Sequence, residues 1–214
     1  MKNQKENSID GQSAKTRLLE EATALFAEKG YAGTHVREIV ARAGVSKPVL
    51  YYYFESKEGI FYSILDSAVC QQKAVLAEVI EKPGTALERM IHLYRRIYEG
   101  VKQYENLFKM IHNLVFGPPQ GAPGYDVERF HRRMIDAIVA IYNEGMARGE
   151  VKEMDPYEAA ILLLSLLDFC FHLYYIRPDS SDPEKAERLL RLAFQGLEKG
   201  SIHNSEVQIE YEQF

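Results

Sequence analysis

Helix punctuation recurs along this chain at intervals that leave room for little except helices. Thr85-Ala-Leu-Glu88 has the spacing of a capping box, in which hydroxyl and carboxylate each satisfy a free backbone N–H at a helix start. Asp155-Pro156 and Asp182-Pro183 each pair a good N-cap with a proline whose fixed φ suits the first helical residue. Gly30, Gly100, Gly149 and Gly200 stand where helical patterns run out. Between these marks apolar residues recur with helical period, which predicts helices over 13–29, 34–41, 46–53, 57–80, 85–100, 104–115, 125–148, 156–176 and 183–199. The connection Phe116-Gly-Pro-Pro-Gln-Gly-Ala-Pro-Gly124 cannot be helical throughout. No strand pattern competes, and the expectation is an all-α chain of about nine helices.

Two of these helices are short and adjacent. Thr34 is placed to cap a helix whose Val36, Ile39, Val40 and Ala43 face inward, leaving Arg37, Glu38 and Arg42 outside. Gly44 suits the left-handed backbone at its end, and Val45 can plug the angle to the next helix. Ser46 is a good N-cap for that helix, and Pro48 lies in its first turn. Leu50 and Phe54, four apart, turn to the core, while Lys47, Val49, Tyr51 and Tyr52 are left at least partly free. A helix-turn-helix offers such an N-terminal turn to the major groove of DNA.

The run Ala-Gly-Val-Ser-Lys-Pro-Val-Leu-Tyr-Tyr-Tyr-Phe-Glu-Ser-Lys-Glu, from Ala43 to Glu58, resembles the signature of the tetracycline-repressor (TetR) family of one-component transcriptional regulators. Ala22, Leu25, Phe26, Gly30, Tyr31 and Thr34 upstream, and Ser56-Lys57-Glu58-Gly59-Ile60-Phe61 downstream, are similar to the flanks of that motif. The resemblance covers roughly residues 13 to 62 and departs at Gly59, where many members carry a helix former, which would soften the start of the linking helix. It implies a three-helix DNA-binding head at 13–56 and a helical ligand-binding and dimerisation body at 57–199, while the polar ends themselves read as a disordered arm at 1–12 and a loosely held tail at 200–214.

Charge agrees with binding through one end. Residues 1–57 hold nine Lys or Arg against seven acids, so a head of +2 sits on a body of −7 within a chain of −5. Cys70 and Cys170 have no spacing suited to zinc or to a disulfide framework and read as buried thiols of a reducing, cytoplasmic protein. The polar N-terminus does not read as a signal peptide. Ile161 to Ile176, the most apolar stretch, is shorter than a membrane span of about 20 residues and is interrupted by Ser165, Asp168 and His172. No membrane partner and no cofactor are expected.

On DNA, Arg37 reads as a base contact, able to bridge guanine O6 and N7, against the alternative of a solvated surface charge. Lys47 suits guanine or a phosphate, and Pro48 and Val49 suit thymine methyls. Ser46, Tyr51, Tyr52 and Lys57, with Thr34 or His35 at the other helix start, read as phosphate contacts or their neighbours. The expected partner is a double-stranded operator.

In the body, Tyr94, Tyr98, Phe108, His112, Phe116, Tyr142, Asp168, Phe169 and His172 interleave aromatic and polar groups along apolar helices, as a pocket for a small hydrophobic or aromatic effector requires. The same spacing is also that of ordinary core, and Asp168 could instead satisfy a helix across a dimer interface. Leu162 and Ser165, with Leu189, Leu192, Ala193 and Gly196, make the last two helices more apolar than the edge of a monomer needs. In the resembled family these helices form a four-helix homodimer interface, which implies a near-palindromic operator. The resemblance also implies repression relieved by ligand. The competing readings are a helical interaction or small-molecule-binding module without DNA binding and, last, an all-helical enzyme. No nucleophile signature, phosphate loop or H-E-x-x-H pair supports the last. His92, His112, His131 and His172 lie on four different helices, where convergence on a metal competes with simple exposure.

Overall fold

The computed structural model describes residues 2–118, 121–176 and 183–197. Among these residues the chain is all helix and loop: α1 (Lys2–Gly33), α2 (Val36–Ala43), α3 (Lys47–Phe54), α4 (Lys57–Glu81), α5 (Ala86–Gln103), α6 (Glu105–Phe116), α7 (Glu128–Ala147), α8 (Pro156–Ile176) and α9 (Pro183–Leu197). The marks read from sequence mostly do what their chemistry suggests. Thr85 Oγ1 accepts from the Glu88 N–H at 3.2 Å and the Glu88 carboxylate accepts from the Thr85 N–H at 2.8 Å. Asp155 accepts from the Tyr157 N–H at 2.8 Å. Asp182, Gly200 and the tail read over 200–214 lie outside the described residues.

The boundaries of α1 and α5 differ most in meaning. Helix α1 starts at Lys2 and takes in residues 2–12, expected as a disordered arm, although Asn3, Asn7, Ser8, Asp10 and Gly11 are weak helix formers. Its regular path breaks at Gly30 (φ 72°), where the first helix was expected to end. Gly100 lies inside α5, which runs on to Gln103; a Cβ there would stand 3.4 Å from the Phe108 ring, so this glycine seats an aromatic side chain rather than ending a helix.

Head and body each have their own core, and α4 contributes to both. Leu18, Ala22, Leu25 and Phe26 of α1 pack with Ile39, Leu50 and Phe54, and with Ile60, Phe61, Ile64 and Leu65 of α4. Met110 of α6, 2% exposed, completes that cluster. Farther along, Leu76 and Val79 of α4 join a second core with α5, α7, α8 and α9. One helix therefore serves both clusters, and the head's packing extends beyond residue 56.

At the turn between α2 and α3, Gly44 adopts φ 64° and ψ 36°, and the Val45 N–H donates to the Val40 carbonyl at 3.0 Å. A Cβ added to Gly44 would meet nothing within 4 Å, so a substitution there meets a backbone cost alone. Gly44→Val is expected to cost about 1–2 kcal/mol of stability, measured by urea unfolding. An unchanged midpoint would mean that the turn relaxes to another geometry. Gly59 is needed for space, because a Cβ there would lie 1.9 Å from the Phe54 carbonyl oxygen. The anticipated softening of α4 is offset by the Ser56 hydroxyl, which accepts from the Gly59 N–H at 2.9 Å.

Candidate functional site

Helix α3 presents its polar edge because only Leu50 and Phe54 are buried along it. Ser46, Lys47 and Pro48 are exposed, Tyr51 and Tyr52 are exposed by 47% and 81%, and Val49 and Tyr53 are half-buried against the head core. Ser46 stands at the N-cap position but its hydroxyl makes no cap bond, leaving it free to meet a ligand. His35 and Arg37 are exposed at the start of α2.

The cations of the head fall into two groups. Arg42 forks onto Glu28 at 3.1 and 2.8 Å, Lys29 reaches Glu38 at 2.7 Å, and the Arg17 Nε donates to the Ala43 carbonyl at 2.9 Å. Arg42 and Lys29 hold the Glu28 and Glu38 carboxyls below their ordinary pKa. These exposed pairs stabilise little, but they hold charge against the head. Among the described residues Arg37 and Lys47 make no hydrogen bond or ion pair, and they flank the turn. Free, exposed cations beside aromatic hydroxyls at one end are what a phosphate-lined groove requires.

Two residues expected at phosphates are used internally. Thr34 is fully buried, its hydroxyl donating to the Gly30 carbonyl at 2.8 Å, so its side chain presents nothing to DNA. Lys57 folds back over the Tyr31 ring at 3.9 Å and donates to the Tyr31 and Thr34 carbonyls at 2.9 and 3.0 Å. Burial lowers its pKa. It ties the exit of α1 to the start of α4, and Lys57→Ala should cost about 1–3 kcal/mol, seen as an earlier thermal transition. A variant with unchanged melting and uniformly weaker DNA binding would return Lys57 to the phosphate role.

The body holds a partly open cavity of about 530 Å³ between α4, α5, α6, α7 and α8. Phe108, His112, Phe116 and Asp168, singled out from sequence, line it. Tyr94, Tyr98 and Tyr142 do not: the first two stack on each other at 6.0 Å within the body core, and the Tyr142 hydroxyl donates to the Lys152 carbonyl at 3.0 Å. Their spacing is that of packed interior. Phe169 is 58% exposed on the outer face of α8, and His172 stands behind His112 instead of on the wall. The wall also includes Gln72, Arg96, Tyr104, Ile111, His131 and Phe171, which periodicity on single helices could not assign to a shared space.

Three of the four helical histidines do gather at this cavity, while His92 pairs with Glu78 at 2.8 Å elsewhere. Among the described residues no group of three or more His, Cys, Asp or Glu could hold a metal ion. Cys70 is exposed, contrary to the buried-thiol reading, because it lies on the outer side of α4; Cys170 is half-buried and burial raises its pKa. On α8 and α9, Leu162 and Leu192 are exposed by 51% and 60%, Ile161, Ser165 and Gly196 are exposed beside them, and Leu189 and Ala193 are half-buried. No described helix is long and apolar enough to cross a membrane.

Comparison with known proteins agrees with this geometry. The family described as bacterial regulatory proteins, tetR family, matches residues 18–64, from α1 to the head half of α4. The HTH-type transcriptional regulator RutR of Escherichia coli (strain K12) is 33% identical over 151 residues, which are 70% of this chain and 69% of that protein. The HTH-type transcriptional repressor KstR2 of Mycobacterium tuberculosis is 32% identical over 92 residues, 43% of this chain and 46% of its own length. The chain spans about half the length of the first curated relatives it matches. The crystal structure of the TetR family transcriptional regulator PfmR from Thermus thermophilus superposes with a TM-score of 0.69 at 28% identity, covering 86% of this chain and 97% of that one.

Proposed function

This chain belongs to the tetR family of bacterial regulatory proteins, and on that footing we propose that it is a DNA-binding transcriptional regulator, a repressor released from its operator by a small apolar effector. The observation that carries the reading is the double use of α6. Its Phe108, His112 and Phe116 line the cavity, while its Met110 is packed into the core of the head. An occupant that repositions α6 therefore acts on α1, against which α6, α2 and α3 all pack.

Arg37 and Lys47 read base edges or phosphates, Pro48 and Val49 approach thymine methyls, and Ser46, Tyr51, Tyr52 and His35 contact the backbone. The exposed apolar side of α8 and α9 pairs with a second copy across a two-fold axis, giving a homodimer that works on DNA in the cytoplasm. Two recognition helices about 34 Å apart would match successive major grooves on one side of the duplex. Effector shifts the population toward an arrangement in which that spacing is lost, and it can do so only by its difference in affinity for the two arrangements.

The experiment is a fluorescence-anisotropy titration of duplex DNA from upstream of the protein's own coding sequence, with random competitor. Effectors come from a thermal-shift screen of apolar compounds. The reading expects sequence-selective binding, and release by compounds that stabilise the protein. Binding indifferent to sequence, or stabilisers that never release DNA, would refute it.

A further inference from the structure

At one end of the cavity, polar groups from three helices meet. His112 on α6, His131 on α7 and Asp168 on α8 all line it. His172 backs His112, with ring centroids 5.6 Å apart and facing nitrogens at 3.4 Å. Among the described residues, the ion-pair partner of the Asp168 carboxylate is His131 Nε2 at 3.4 Å, a long contact. The one lysine or arginine on the wall, Arg96, is already held by Glu78 at 3.2 Å and Glu99 at 3.1 Å. Much of the remaining surface is aromatic: Phe108, Phe116, Phe130, Phe171 and Tyr104 line the space, with Phe116 edge-on to His131 at 5.7 Å.

This set of groups discriminates by charge. Aromatic faces attract cations, most strongly where water is excluded. The fixed charges on the wall are Arg96, Glu99 and Asp168, so carboxylates outnumber permanent cations. An anionic ligand would be repelled by Asp168 unless the His112–His172 pair took up a proton. Burial and the neighbouring imidazole both oppose that, and they hold His112 below its ordinary pKa. A cationic ligand faces the opposite situation. The counter-ion of Asp168 is an imidazole, which can discard its charge near neutrality as lysine or arginine cannot.

We propose that the cavity takes a lipophilic cation, an apolar body bearing one amine or quaternary ammonium group, which replaces His131 as the partner of Asp168. The proposal deepens the effector reading and rests on it only for the claim that the occupant controls DNA binding.

A proton linkage follows. The hydrogen bond to Asp168 holds the His131 imidazole above its ordinary pKa, against the effect of burial. When an ammonium takes the carboxylate, that support is gone, the pKa falls, and the proton on His131 leaves for solvent. Binding therefore releases protons and tightens as pH rises through the neutral range. The other charged or titratable groups on the cavity are His112 with His172 behind it, Arg96, Glu99 and Tyr104, and α4 contributes only the neutral Gln71 and Gln72 among its polar residues. A quaternary ammonium keeps its charge throughout, so the pH dependence reports the protein alone.

The test is calorimetric titration of the full chain with decyltrimethylammonium and with decanoate, both below their micelle concentrations, at about pH 6 and about pH 8, on either side of the histidine range. The expected result is tighter binding of the cation than of decanoate, with severalfold higher cation affinity at the upper pH. Proton release appears as a dependence of the heat on buffer ionisation. Asp168→Asn should weaken the cation about tenfold and remove the pH dependence. His131→Gln should raise the affinity at about pH 6 to its value at about pH 8 and so lose the pH dependence, which preserves a test if the first variant folds poorly. Tighter binding of decanoate, or cation affinity indifferent to both substitutions, overturns the proposal. A cation bound through Asp168 that leaves the DNA complex intact upholds the chemistry of the cavity and refutes its role as the effector site.

Discussion

Replacing Arg89 by alanine is expected to cost about 3–5 kcal/mol of folding stability, because it removes a buried guanidinium that satisfies the end of α4 and leaves a void in its place. Arg89 is 1% exposed. Its Nη1 donates to Glu144 at 2.6 Å, its Nε to the Val79 carbonyl at 3.3 Å, and its Nη2 to the Ile80 carbonyl. Those carbonyls belong to the last turn of α4, where backbone acceptors lack helical donors and the helix dipole favours a cation. One side chain thus ends the helix that links head and body, and joins it to α5 and α7. Alanine would leave two carbonyls unsatisfied and a void beside them. Urea unfolding by circular dichroism measures the effect, and Arg89→Met separates charge from volume by keeping most of the bulk. A loss under about 1 kcal/mol for the alanine variant would mean that water replaces the guanidinium at no great cost.

The second large effect concerns DNA. Arg37→Ala and Lys47→Ala should each weaken the preferred duplex by roughly 1–3 kcal/mol if they read bases, with relaxed preference at the position each reads. The double variant should approach the affinity for random DNA. Neither residue is engaged within the described protein, so these substitutions should leave folding stability within about 0.5 kcal/mol of the parent. That separates them from Lys57→Ala, whose expected cost is in folding. A uniform loss on every sequence with Arg37→Ala would make Arg37 a phosphate contact instead of a base reader.

How far the sequence could be read depended on whether the cause was local. Capping boxes, proline at a first turn and Gly44 act within a few residues, so the nine helices and the α2–α3 turn were visible in the chain itself. Gly100 was misread because its lack of a Cβ serves Phe108 in the next helix, and no local signal separates a glycine that ends a helix from one that admits a neighbour. Lys57 followed a good N-cap and read as a surface cation; its fold over Tyr31, 26 positions earlier, depends on how α1 meets α4. Arg89, within Leu-Glu-Arg-Met, looks like any outward position until the end of α4 is placed against it. Tyr94, Tyr98 and Tyr142 show the limit most clearly. Helical spacing identifies a face turned inward, but whether that interior is filled or empty is decided by helices far away in sequence.

In the proposed function this chain would read DNA as a symmetric pair of heads, each through the exposed start of α3 and the neighbouring Arg37. Selection of bound duplexes from a random pool, followed by sequencing, tests it most directly. The account predicts an enriched inverted repeat with half-sites about one helical turn, or a multiple of it, apart, and with the Lys47→Ala or Arg37→Ala protein a preference altered at symmetry-related positions in both halves. No enrichment over the starting pool, or an enriched motif without two-fold symmetry, would contradict it.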